Sequence, residues 1–153
     1  MSEIDRILTH YDQVLNGDAW HGDAMWRILD DISPEAAAAR PLPTTHTIWE
    51  IVMHMMFWED VATRRFAGER AGLVEERNFP PMPGATDENW QQTLDELRAS
   101  NHSFREALAR FDTARLGNLS AAGKRTFYDE AHGLIEHHIY HLGQIAMLKK
   151  ASQ

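Results

Sequence analysis

The chain has 153 residues, 43% of them hydrophobic and 25% charged, enough apolar surface to close one core and to exclude a disordered polymer. Asp and Glu (23) outnumber Lys and Arg (15), and with a formal net charge of -8 the sequence shows no basic face for displacing counterions, so nucleic acid is not expected as a partner. With no cysteine, disulfides, thiolate metal sites and a cysteine nucleophile are excluded too, while nine histidines supply the commonest transition-metal ligand.

The first residues, MSEIDRILTHYDQ, carry neither a basic nor an apolar signal region. The longest apolar-looking run, Ile48 to Trp58, is broken by Glu50 and His54 and falls short of the ~20 residues that cross a bilayer. These features predict a cytoplasmic protein without membrane association.

Proline and glycine divide the chain into four helical blocks. The first runs from Ser2 to Asp31, with a break at Asn16-Gly17-Asp18. Ser33-Pro34-Glu35 opens a short helix through Ala39, which Arg40-Pro41-Leu42-Pro43 stops. The second block starts at Thr44 or Thr45, with a capping box available to Thr47 and Glu50, and continues to Ala67. Within it Ile51, His54, Trp58 and Val61 recur at spacings of three and four, on one helical face. FPPMPG is loop. The third block, Thr86 to Phe111, carries an apolar stripe of Trp90, Leu94, Leu97, Phe104, Leu108 and Phe111. The fourth, Lys124 to Lys150, ends on a Lys pair that suits the negative end of a helix dipole. Four long amphipathic helices with short connections predict an all-α fold, an antiparallel four-helix bundle formed by residues 1–153 as a single domain.

His137 and His141 stand four residues apart, which places both rings on one face about 5.4 Å apart. That face also carries Leu134, Gln144 and Leu148, so the pair points into the bundle, as does His54 on the second helix. Three imidazoles would fill three of the four tetrahedral positions of zinc and would suit nickel, iron or, less readily, manganese. Spacing alone leaves a second reading open, in which each inward histidine is a hydrogen-bonded core residue. No glutamate separates the pair, so the built-in base of the HExxH proteases is missing.

The C-terminal stretch EHHIYHLGQIAMLKK resembles the closing motif of the DinB-like (DinB/YfiT) family of metal-binding four-helix bundles. HTIWEIVMHMMFWEDVATRRFAGE is similar to that family's second helix, and GDAWHGDAMWRIL and NWQQTLDELRAS also fit, so the likeness covers nearly the whole chain. It implies a divalent metal on His54, His137 and His141, the same residues that helical spacing singles out. It further implies thiol-dependent S-transferase chemistry with bacillithiol, mycothiol or a related low-molecular-weight thiol, or else metal-dependent hydrolysis. A non-catalytic, stress-related bundle with a structural metal or small-molecule site is the remaining expectation, and the resemblance suggests a homodimer.

Around the ligands, Trp58 is a candidate pocket wall and Gln144 a candidate brace for a ligand or an inter-helix bond. Trp20 and Trp49 are weaker pocket candidates, since a Trp at helical spacing is most simply core. Gly143 is read as a point of close helix approach. His138 and Tyr140 lie off the ligand face and are read as packed or exposed. His21 and His46, at helix ends, and the acidic runs Glu59-Asp60 and Glu75-Glu76 are read as solvated.

Overall fold

The computed structural model describes residues 1–152, and every regular element among them is helical. In chain order these are α1 (Glu3–Asn16), α2 (Met25–Leu29), α3 (Pro34–Ala38), α4 (Ile48–Phe66), α5 (Glu75–Asn78), α6 (Asp87–Ala109), a single 3-10 turn (Thr113–Arg115) and α7 (Phe127–Ala151). The all-helical expectation holds. Among the described residues no helix is long and apolar enough to cross a membrane.

Helix starts follow the capping chemistry. Ser2 with Asp5, Thr47 with Glu50 and Thr126 with Asp129 each form a reciprocal capping box, satisfying backbone donors that the first turn leaves free. Glu50 also receives both contacts of the Arg40 guanidinium's Nη2 (2.9 and 3.0 Å), which ties the proline-rich segment down onto the start of α4. The first predicted block is the least faithful: its break widens to residues 17–24 before the short α2 begins. The four-residue α5 arises in a stretch without hydrophobic period and buries no residue, and Arg77 and Asn78 tie it to Asp60, His54 and Trp58 of α4.

One core joins all the long helices. Trp49 is fully buried and donates to Thr93 Oγ1 (3.0 Å), while Trp90 donates to the Ile32 carbonyl (2.8 Å). At the other end Phe66, Phe104, Phe111 and Phe127 form a ring cluster with centroids 4.5–5.8 Å apart.

These contacts reveal helix directions. Going along α4, Trp49 meets Thr93, Glu59 meets Asn101 and Phe66 meets Phe104, so α4 and α6 run the same way. Against α7 the order reverses: His54 meets His137, Glu59 meets His138, Arg65 meets Glu130 and Phe66 meets Phe127. The α4–α7 pair is thus antiparallel and the α4–α6 pair parallel. A parallel pair needs a connection that returns along the helix, about 28 Å for the 19 residues of α4. The long segment from Ala67 to Thr86, α5 and the FPPMPG loop included, is that return, where short connections were expected.

Candidate metal centre

The antiparallel α4–α7 seam brings the three predicted histidines together. His54 and His141 are each 7% exposed and His137 is half-buried between them. Their Nε2 atoms converge: His54 to His137 is 3.0 Å and His141 to His137 is 3.1 Å. Nitrogens about 2.0–2.1 Å from a tetrahedral zinc lie roughly 3.3 Å from one another, so the spacing suits a shared ion.

The opposite ring nitrogens decide which atoms can accept a metal. His54 Nδ1 contacts the Asn78 carbonyl at 3.0 Å, and a carbonyl only accepts, so Nδ1 carries the proton and Nε2 a lone pair. His141 Nδ1 donates in the same way to Gln144 Oε1 (2.6 Å), leaving its Nε2 bare. Both lone pairs aim at His137 Nε2. A neutral imidazole has one N–H, so His137 satisfies at most one of them, and its own Nδ1 is buried without a partner. Three nitrogens with at most one proton among them make a poor hydrogen-bond cluster and a good ligand set. The residues fit a divalent cation.

Electrostatics push the same way. Burial, reinforced by the other histidines, lowers the pKa of His137 to about 3. Burial lowers that of His141 to about 4 against the opposing bond to Gln144, and it also lowers that of His54. All three are neutral at physiological pH, the form that binds metal.

Supporting contacts come from both sides. Gln144, predicted as a brace, orients His141 and donates its amide to Tyr140 Oη (3.3 Å). Trp58 acts one step removed: its indole N–H donates to Asn78 Oδ1 (3.0 Å), positioning the residue whose carbonyl orients His54. It also lines a cleft of about 820 Å³ that opens beside His137. Phe79 stacks between His54 (4.1 Å) and His46 (3.7 Å), so the half-exposed His46, two residues before α4 begins, helps cover the site without joining the three converging nitrogens.

Several expectations are corrected. Trp20 is fully exposed and Trp49 belongs to the core, so neither walls the site. Gly143 is exposed, with nothing within 4 Å of where a Cβ would sit, so no helix approaches it. Glu59 is not solvated but completely buried. It accepts from Tyr11 Oη, from Asn101 Nδ2 (3.1 and 3.0 Å) and from His138 Nε2 (3.0 Å). Burial alone would raise its carboxyl, but the bonds and charge of His138, helped by Tyr11, hold it below the ordinary value. In turn burial and the Glu59 charge raise the Tyr11 phenol. This polar knot joins α1, α4, α6 and α7 directly behind His137, whose ring centroid is 6.3 Å from that of His138.

Sequence reasoning missed Asn78, Phe79 and the Glu59 knot. Asn78 contributes a backbone carbonyl, which has no residue signature, and lies beyond any helical period. His138 carried one usable signal, a polar residue one position outside the ligand face on a helix buried on two sides.

Among known families, the model described as the DinB superfamily matches residues 19–145. No curated protein and no solved structure matches the chain.

Proposed function

The chain belongs to the DinB superfamily, and from that premise we propose that it is a metal-dependent enzyme whose three-histidine site activates a low-molecular-weight thiol for S-transfer. The observation that carries the reading is the convergence of three imidazole Nε2 atoms, with the protons of His54 and His141 already committed elsewhere. Among the described residues no Asp, Glu or further His joins the group, so a tetrahedral ion would keep one exchangeable position. Structural zinc sites are normally closed by four protein ligands, which disfavours a purely structural role.

When bound there, a divalent ion would supply Lewis acidity that lowers the pKa of a thiol or water in its remaining position. Zinc or nickel suits three imidazoles best, with iron or manganese behind. The chain lacks cysteine, so the thiol must come from a cofactor of the bacillithiol or mycothiol kind. His54, His137 and His141 hold the ion, Asn78 and Gln144 hold the rings, and Trp58 forms the wall where the ligand enters. A hydrolase would use the same site with water. It is the second choice because hydrolysis calls for a general base, and no carboxylate stands in the cluster. The family resemblance supports a homodimer.

Elemental analysis of purified protein, followed by thermal shift with a panel of metals and thiols, tests the proposal. The expected result is about one ion per chain and a rise in melting temperature with one thiol only when the metal is present. A thiol response that is independent of metal, or no retained metal from any of the panel, would refute it.

A further inference from the structure

The cleft beside His137 has two chemically different ends. It runs along the outer side of the α4–α7 seam. Trp58, Val61, Ala62 and Arg65 line it from α4, and residues at matching helical spacing from Asp129 to Tyr140 line it from α7. Of the three histidines, only His137 opens onto it, at one end. The other end lies beyond Glu130, seven residues and roughly 10 Å back along α7.

At that far end the charges do not cancel. Arg65 is spent on Glu130 (2.7 Å), which also accepts from Ser120, and Asp129 is spent on the capping box with Thr126. Arg70, Lys124 and Arg125 line the same end, and none makes an ion pair with any described residue. Arg125 is near enough to help lower the Asp129 carboxyl, and Glu136 lines the cleft toward His137, yet three cations without an ion pair at one cleft mouth stand out on a chain with a formal net charge of -8. Leu73, an exposed apolar side chain, completes that mouth.

We propose that the cleft binds an elongated anionic molecule, with its reacting end at His137 and a carboxylate or phosphate roughly 10–15 Å away among Arg70, Lys124 and Arg125. The inference rests on the preceding reading only for the reacting end. The anion site stands on its own residues.

Probes are a thiol joined through three ethylene glycol units to a carboxylate, the same thiol ending in a hydroxyl, and 3-mercaptopropionate as the short acid. In one arm, cobalt(II)-loaded protein reports thiolate ligation through its visible bands. In the other, amide NMR of metal-free protein maps contacts. The long acid should bind about tenfold tighter than the long alcohol or the short acid. It should shift amides of residues 70–73 and 122–130, and R70A/K124A/R125A should abolish both effects. Those three side chains are exposed, so the variant keeps its fold. Equal affinity of long acid and long alcohol, with thiolate bands intact, overturns the anion site and leaves the thiol reading standing. Carboxylate-dependent amide shifts without thiolate bands do the reverse. A long acid that gives no shift at residues 70–73 and 122–130 overturns the inference whatever the bands show, and inorganic phosphate, run alongside, identifies which anion the mouth prefers.

Discussion

Replacing Glu59 by leucine would remove the acceptor on which the polar knot at the centre of the bundle converges, where Asn101 Oδ1 and His138 Nδ1 already lack a partner. Tyr11 Oη keeps a long contact with the Asn101 carbonyl (3.4 Å), but Asn101 Nδ2 and His138 Nε2 lose their only acceptor. Each stranded buried donor costs about 1–3 kcal/mol, giving roughly 2–6 kcal/mol in total, offset in part by the relief of no longer burying a carboxylate. The expected loss is about 3–4 kcal/mol, a large share of the ~5–15 kcal/mol that holds a domain of this size. Urea unfolding at pH 7 in the presence of a chelator reads this without interference from metal. E59Q, which keeps the volume and one acceptor, should lose about half as much. A loss below about 1 kcal/mol for E59L, or an equal loss for the two variants, would show that the carboxylate is not the hub of these contacts.

Substituting His137 by alanine should reduce retained metal to background in elemental analysis while leaving the metal-free protein folded by circular dichroism, because it removes a ring whose Nδ1 is already unpartnered. Gln144→Ala should weaken zinc affinity about 10–100-fold in a competition titration, since it frees the His141 ring to turn. The metal-free protein should lose stability as the pH falls below about 6.5. There the unfolded chain protonates His54, His137 and His141, while the folded chain resists down to about 4 for His141 and about 3 for His137, so the unfolded state binds more protons throughout that window. Below about 4.5 the lowered carboxyl of Glu59 adds a loss of the same sign, and H137A should flatten the upper part of a stability-against-pH curve. A steeper curve in H137A than in the parent would contradict this.

Much of the fold was legible because capping and punctuation are local. Thr47 with Glu50 and the prolines at 80, 81 and 83 act on residues a few positions away, so the starts and stops of α4 and α7 came within a few residues of their observed ends. The relative direction of α4 and α6 was not legible in that way. It depends on how Trp49, Glu59 and Phe66 meet partners about 40 residues later, which no helical period encodes. Only the length of the connection carried a hint, since 20 residues are more than an antiparallel turn requires.

The same distinction separates the ligands from what surrounds them. His137 and His141 share a face by helix geometry alone, and His54 falls on an inward stripe, so all three could be named before any contact was known. Glu59 sits on that same helix, yet its charge argued for solvent. What holds it inside is the arrival of Tyr11, Asn101 and His138 from three other helices, each more than 40 residues distant in sequence. A buried carboxylate is stable only where its donors are assembled around it, and those donors are ordinary polar residues until the fold is closed. The three histidines differ because their convergence leaves a demand that the protein itself does not meet. Two lone pairs face one ring nitrogen, and a cation would answer all three at once. Behind them the Glu59 carboxylate finds all its donors within the chain, which makes it a scaffold, whereas the three nitrogens in front share at most one proton among them.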